Sequence, residues 1–216
     1  MKKRNQIIIV SLLIGIVLML IAFLFDPDIM MALQKIRNIQ LDYLFISITF
    51  ASNAFIMFFF LMALFLWREH KRRWIFPLVL SSAVSFIASF FIKIIVRRPR
   101  PFTSEILIKK GFEALVVAFY FMKSNYNTWN FSFPSFQALF VFAALPILDK
   151  EFKAFKYVWF LFACLVAFSR TYFGVHYLSD VIAGAIIGYI IGYIMVYVEE
   201  RYRIGKRMMK KLHVKE

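Results

Sequence analysis

The sequence has little cysteine, little acidic charge and little charge of any kind. Cys164 is the single cysteine, so no disulfide framework can form within the chain. Charged residues make up 18% of the 216 and apolar residues 62%. A soluble domain carries about 25% charged and 45–50% apolar residues. The composition therefore excludes an ordinary soluble domain and indicates an integral membrane protein with several spans.

The charge that is present is unbalanced, with 27 basic and 12 acidic side chains and a formal net charge of +15. Such a charge would suit a protein that binds nucleic acid. The basic residues, however, cluster in short segments beside apolar runs, which is typical of cytoplasmic loops rather than of a nucleic-acid groove. We therefore expect the lipid bilayer, and no nucleic acid, as a partner.

Six apolar runs predict the fold. The first resembles a signal peptide, but roughly 20 apolar residues is the length of a span, so we expect it to be retained. Residues 26–40 are expected to form a mixed-charge connection. The pattern predicts an all-α fold, a single domain over 1–216 built as a six-transmembrane-helix bundle. The six predicted spans are 6–25, 41–67, 75–96, 134–148, 155–168 and 177–198.

Basic residues also predict the orientation of the bundle. The N-terminus, the loops 68–74 and 149–156, and the basic tail 199–216 hold 17 of the 27 Lys and Arg residues. Six spans place these segments on one side, which the positive-inside rule makes the cytoplasm. Both termini are therefore predicted to be cytoplasmic in a plasma membrane protein. The polar segment 97–133 would face outward, with its short apolar stretch 113–122 at the interface.

The stretch 169–180 joins the last two runs and contains Arg170, His176 and Asp180. Ionisable groups at the rim of a span are costly and often functional. If a helix begins near His176, then His176 and Asp180 lie one turn apart on the same face. That spacing suits an imidazole oriented by a carboxylate. We interpret the three residues as catalytic, with a structural polar cluster as the alternative.

Two further stretches are expected at the same membrane depth. Lys93 and Arg100 lie near the outer end of the third run, and Ser135 opens the fourth after Pro134. Lysine and arginine suit phosphate oxygens, and arginine can bind them in a bidentate way. A helix that starts at a proline leaves backbone donors free for an anion. The three stretches therefore predict a phosphate site with His176 as the nucleophile.

Small residues at four-residue spacing indicate which helix faces point inward. Such residues lead up to Lys93 on the third run and follow Asp180 on the sixth. Because they permit close helix packing, we expect Lys93 and Asp180 to face the bundle interior. Arg97 and Arg98 are expected to contact lipid headgroups instead. The small residues are Ser81, Ser85, Ser89, Gly184, Gly188 and Gly192.

The motifs Lys93-x6-Arg100-Pro101, Pro134-Ser135 and Ser169-Arg170-x5-His176-x3-Asp180 resemble the three signatures of the type 2 phosphatidic acid phosphatase superfamily. The resemblance covers about 81–192. It implies a six-helix membrane phosphatase with an outward site, no metal or other cofactor, and a phosphohistidine intermediate. By matching position, His176 would attack phosphorus and Asp180 would orient the His176 imidazole. The phosphate would be held by Lys93, Arg100, Arg170 and Ser135.

The second signature departs from the family pattern. The family has Pro-Ser-Gly-His, whose histidine is the general acid, whereas this chain has Phe136 and Gln137. Glutamine can donate a hydrogen bond but cannot deliver a proton, so we expect at most a weak leaving-group contact from Gln137. Losing a general acid typically removes about 10²–10⁴-fold of rate. An alkoxide leaving group needs that proton, whereas a phosphate leaving from a pyrophosphate needs little help.

Three functions stay open at this point. The first is hydrolysis of a lipid phosphate or pyrophosphate, with polyprenyl pyrophosphate favoured because of Gln137. The second is an impaired phosphatase-like protein that binds lipid phosphate without turning it over. The third is a lipid headgroup phosphotransferase that uses the same phosphohistidine.

Overall fold

The computed structural model describes residues 2–67, 69–101 and 131–213, and all regular structure within them is helical. The all-α prediction is confirmed for these residues, and the predicted interfacial stretch 113–122 lies outside them. Two 3₁₀ segments, Glu69–Trp74 and Lys153–Phe155, precede α4 and α6. The α-helices are α1 (Lys2–Ile36), α2 (Ile39–Ala51), α3 (Ala54–Leu66), α4 (Ile75–Val96), α5 (Phe136–Glu151), α6 (Lys156–Tyr172), α7 (Leu178–Tyr202) and α8 (Ile204–His213).

Helices α5 and α7 form the centre of the bundle and pack against each other more extensively than any other described pair. The glycines of α7 make this possible, because a Cβ at Gly188 would lie only 2.1 Å from the carbonyl oxygen of Leu139. A Cβ at Gly192 would lie equally close to the carbonyl oxygen of Ala143. The prediction that these small residues mark a packed, inward face is confirmed.

Four described helical segments are long and apolar enough to cross a membrane, namely Val10–Ile36, Glu69–Val96, Lys153–Tyr172 and Leu178–Tyr202. Helices α2 and α3 pass the same test only together, and they are bent by 60° at a short break. The predicted span 41–67 thus corresponds to two helices with a bend between them. Asn53 stabilises the break by accepting a hydrogen bond from the backbone of Phe55 at the start of α3. The chain is an integral, multi-pass membrane protein.

The predicted fourth span corresponds to α5, which has 16 residues and packs against α4, α6 and α7. It is shorter than the roughly 20 residues of a typical span. The described residues thus contain four candidate spans, or five if the bent pair counts as one. The predicted six spans and cytoplasmic termini stay predictions.

Helix α1 is longer than its apolar run predicts. It continues through Pro27 to Ile36, so most of the expected connection 26–40 is helical. Its inner face packs against α7, where the carboxylate of Asp26 accepts a 3.2 Å hydrogen bond from the backbone nitrogen of Ser179. This contact at the start of α7 explains why the helix continues, because tertiary packing outweighs the helix-breaking tendency of proline.

Helix α2 lies across the C-terminal end of α6. Asp42 accepts a 2.8 Å hydrogen bond from the hydroxyl of Tyr172, and the ring of Phe45 packs 4.6 Å from the Tyr172 ring. Further along α2, the hydroxyl of Thr49 lies 3.5 Å from that of Ser169. These contacts run along α2 from Asp42 to Thr49 and lie at the C-terminal end of α6. They bring Thr49 to the end of the bundle where the sequence motifs meet.

Candidate active site

Four helix ends bring the three sequence motifs together: the C-terminal ends of α4 and α6 and the N-terminal ends of α5 and α7. Backbone hydrogen bonds fix the loop before α5 against its neighbours. The nitrogen of Ser132 donates to the Arg98 oxygen at 2.8 Å, and that of Ser135 donates to the Asp180 oxygen at 3.0 Å. The predicted residues that cluster around this loop are Lys93, Arg100, Ser135, Gln137, Arg170, His176 and Asp180.

His176 is 5% exposed, and its imidazole has a defined tautomer. Its Nδ1 lies 2.6 Å from the carbonyl oxygen of Ser132, which can only accept, so Nδ1 carries the proton. Nε2 is then unprotonated and lies 3.4 Å from Nη1 of Arg100. Burial, followed by the charge of Arg100, lowers the pKa of His176 from 6.5 to about 3. The residue is therefore neutral at pH 7, the form that a nucleophile requires.

Asp180 stands on the same side as His176, with Oδ2 3.8 Å from Nδ1 of the imidazole. This separation permits electrostatic interaction but exceeds a hydrogen-bond distance. Oδ2 accepts instead from the backbone nitrogen of Tyr177 at 2.9 Å, and Oδ1 from Arg98 at 2.7 Å. The Nδ1 hydrogen bond of His176 thus goes to Ser132, while Asp180 holds the start of α7.

Arg98 contradicts its sequence-based prediction of a headgroup contact. Its guanidinium donates to Oδ1 of Asp180 at 2.7 Å and to Oδ2 of Asp26 at 2.8 Å. Asp26 is only 1% exposed. Two carboxylates therefore neutralise Arg98, which makes it a residue that supports the site. Its neighbour Arg97 is exposed at the end of α4, in the left-handed conformation that ends the helix.

Lys93 and Arg170 are buried without a carboxylate within ion-pair distance among the described residues. Nζ of Lys93 donates to the carbonyl oxygen of Phe131 at 2.6 Å. Nη1 of Arg170 donates to Oε1 of Gln137, also at 2.6 Å. Neutral oxygens accept these hydrogen bonds but do not compensate a positive charge on either side chain. Buried charges of this kind favour an anionic ligand.

Arg100 and Ser135 complete the surroundings of His176. Nη1 of Arg100 donates to the carbonyl oxygen of Val175 at 2.8 Å. Burial lowers the pKa of Arg100 from 12.5 to about 10, which leaves it charged at pH 7. The hydroxyl of Ser135 is buried and has no hydrogen-bond partner among the described residues. Because buried hydroxyls are normally bonded, this one is available to a ligand.

Gln137 is engaged at both ends of its amide. While its oxygen accepts from Arg170, its nitrogen donates to the carbonyl and hydroxyl oxygens of Ser52, at 3.2 Å each. The amide expected to contact a leaving group thus connects α6 to the break between α2 and α3.

The charges around His176 suit a phosphate. Four cations and two carboxylates leave a formal excess of two positive charges, which a phosphate dianion would neutralise. Among the described residues, no group of three or more His, Cys, Asp or Glu side chains has the spacing of a metal site. The six charged residues are Lys93, Arg98, Arg100, Arg170, Asp26 and Asp180.

The sequence model of the PAP2 superfamily matches residues 74–204, which is more than half of the chain. The chain belongs to the PAP2 superfamily. The resemblance drawn from the three motifs is confirmed, and the match includes every predicted site residue. No curated protein sequence matches this PAP2 protein significantly.

Two solved structures resemble the fold of this PAP2 protein. LpxE from Aquifex aeolicus is 23% identical, and the alignment covers 79% of this chain and 93% of that one with a TM-score of 0.59. The first transmembrane PAP2 type phosphatidylglycerolphosphate phosphatase from Bacillus subtilis is 19% identical. Its alignment covers 89% of this chain and 96% of that one, with a TM-score of 0.60. At these identities the likeness shows a common fold.

Three residues that contact the site lie before the PAP2 match, on α1 and α2 or at the break that follows α2. They are Asp26, Thr49 and Ser52. Sequence reasoning missed all three. The signals were weak: an acidic residue at the end of an apolar run, and isolated polar residues within another.

Proposed function

We propose that this protein is a plasma membrane lipid phosphatase that hydrolyses a lipid pyrophosphate, with polyprenyl pyrophosphate as the favoured substrate. The observation that carries the proposal is the unprotonated Nε2 of neutral His176, which lies 3.4 Å from Nη1 of the Arg100 guanidinium. The Bacillus subtilis protein of similar fold is named as a phosphatidylglycerolphosphate phosphatase, which supports hydrolysis of a lipid phosphate as the reaction class. Six spans with cytoplasmic termini would place the site on the outer face.

The proposed reaction has two steps at phosphorus. Nε2 of His176 first forms an N–P bond while the bond from phosphorus to the bridging oxygen breaks, and the lipid monophosphate leaves with that electron pair. Water then attacks the phosphohistidine as the N–P bond breaks and its electron pair returns to Nε2. The proton of the water passes to bulk solvent, and inorganic phosphate and neutral His176 are released. Lys93, Arg100 and Arg170 stabilise the charge on the non-bridging oxygens in both steps.

The leaving group follows from the chemistry at Gln137. A glutamine amide cannot protonate a leaving oxygen, and both ends of this amide are already hydrogen bonded. A monoester would have to release a strongly basic alkoxide without that proton. A pyrophosphate releases a stable phosphate anion, so it is the substrate that tolerates the missing acid.

The test is phosphate release by the purified protein from polyprenyl pyrophosphate and from phosphatidate. We expect the pyrophosphate to react at least about 100-fold faster, because a missing general acid typically costs a factor of this size. His176→Ala should abolish turnover, whereas the exposed control Arg97→Gln should retain it. A faster reaction with phosphatidate would overturn the proposed substrate.

A second candidate is a protein that binds lipid phosphate without hydrolysing it, and the fully engaged Gln137 amide is the observation that favours it. In that case the parent protein would retain a bound lipid phosphate unchanged, and Gln137→His would introduce turnover. With a radiolabelled terminal phosphate, lipid-bound label and free phosphate can be separated by solvent extraction and counted. Release of label by the parent protein would exclude this alternative.

A further inference from the structure

Arg170 is positioned from three directions by side chains that carry no charge. Oε1 of Gln137 accepts from Nη1 at 2.6 Å, and the hydroxyl of Ser169 accepts from Nε and Nη2 at 3.2 Å each. The hydroxyl of Thr49 accepts the remaining hydrogen bond from Nη2. Arg170 as a whole is only 7% exposed. Its direction is therefore fixed on several sides while its charge is still available to an anion.

Arg98 shows the contrasting arrangement. Its guanidinium lies against the carboxylates of Asp26 and Asp180. A carboxylate partner fixes an arginine and neutralises it at once, whereas hydroxyl and amide partners only fix it. Neutral partners around Arg170 suit a site for an anionic ligand. The guanidinium is already oriented and need not rearrange when the anion binds.

Two of the contacts that hold Arg170 lead to the bent pair α2 and α3. Thr49 lies in the last turn of α2, and Gln137 is itself held by the carbonyl and hydroxyl oxygens of Ser52. Ser52 occupies the break, where the ladder of helical hydrogen bonds is interrupted and its carbonyl oxygen can accept from a side chain. The bend thus places polar groups of a membrane span beside the phosphate cluster.

We infer that the end of α2 and the break after it belong to the phosphate site. Thr49 is a positioning residue that holds the Arg170 guanidinium towards the transferred phosphate. Gln137, itself held by Ser52, does the same through its own hydrogen bond with Arg170. The inference rests on the proposed function. It assigns a role to α2 and to the break, which lie before the segment matched by the superfamily.

Thr49→Val tests the inference, because valine preserves the shape of threonine and removes the hydroxyl that accepts from Arg170. We expect the KM for polyprenyl pyrophosphate and the inhibition constant of inorganic phosphate to rise about 10-fold, with kcat changing by less than about 3-fold. Thr49→Ser keeps the hydroxyl and should restore both constants. Ser47→Ala is the matched control, since Ser47 lies on an exposed face of α2 and donates only to the Tyr43 carbonyl among the described residues.

A purely structural hydroxyl would lower thermal stability without this selective loss of phosphate affinity, so unfolding temperatures are measured for all four proteins. Binding of inorganic phosphate, followed by the shift in unfolding temperature, provides a second measurement that needs no turnover. Unchanged phosphate affinity in Thr49→Val, or an equal loss in Ser47→Ala, would overturn the inference. A parent protein that neither binds phosphate nor releases it would overturn the proposed function and this inference with it.

Discussion

At the scale of single residues, the partner of each buried arginine decides what the arginine can do. Arg98 is partly buried, Arg170 is buried, and both belong to polar networks. Arg98 faces two carboxylates, whereas Arg170 faces amide and hydroxyl oxygens. The same side chain is thus a structural ion-pair partner in one place and a candidate phosphate ligand in the other.

Replacing Arg98 by glutamine should strongly destabilise the fold. The change leaves Asp26 and Asp180 buried without their cation, and breaking a buried ion pair from one side typically costs about 3–5 kcal/mol. We expect a clearly lower unfolding temperature in detergent. Arg97→Gln, one position earlier and exposed, should change stability by less than about 0.5 kcal/mol. Equal stability of the two variants would contradict the assignment of Arg98 to a supporting network.

Local motifs explain which site residues the sequence could predict. Arg170, His176 and Asp180 lie within one short stretch whose residue types already indicate their chemistry. Asp26 and Thr49 have no such local signal, because their partners lie 72 and 121 positions away along the chain. A residue whose role comes from one distant contact becomes visible only when the helices are packed.

At the scale of helices, the close approach of α7 to α5 sets the position of the site, because Ser135 and Asp180 start these two helices. The contact depends on three glycines whose missing side chains let backbone meet backbone. Hydropathy predicted the four helices around the motifs to within a few residues. It could not predict the 60° bend between α2 and α3, because a window average treats the whole run as apolar and does not resolve Ser52 and Asn53.

Gly188→Ala should disrupt this helix pair. The new Cβ would lie 2.1 Å from the carbonyl oxygen of Leu139, and backbone atoms cannot move aside as a side chain can. We expect a loss of about 1–3 kcal/mol, as for other overpacked positions, measured by thermal unfolding. The control is Gly15→Ala, because its Cβ would meet only the flexible side-chain end of Ile186, at 3.2 Å. A stability loss in Gly15→Ala as large as in Gly188→Ala would count against backbone packing as the cause.

At the scale of the whole molecule, the sequence predicts a membrane protein more readily than it predicts the number of membrane crossings. Composition already indicates a multi-pass membrane protein, since 62% of the residues are apolar and a typical soluble domain has about 45–50%. The number of crossings is harder to read from sequence. Helix α5 is too short to count as a span by length, and its position at the centre of the bundle comes from packing rather than from hydropathy.

Orientation can be measured with single cysteines in a Cys164→Ser background. Arg97→Cys lies at the motif-bearing end, and Lys153→Cys lies in the loop before α6 at the opposite end; both positions are exposed. With cytoplasmic termini, a membrane-impermeant maleimide should label Arg97→Cys on intact cells and Lys153→Cys only after permeabilisation. The opposite pattern would reverse the predicted orientation and place the site on the cytoplasmic side.

Helix α1 continues past the end of its apolar run. That run, 6–25, is about 30 Å long and matches the thickness of the hydrocarbon core. The helix then continues through Asp26 to Ile36. Asp26, the first residue after the run, ties α1 to Arg98 and to the first turn of α7. One buried carboxylate thus anchors the first span to the motif-bearing end of the bundle at a fixed depth.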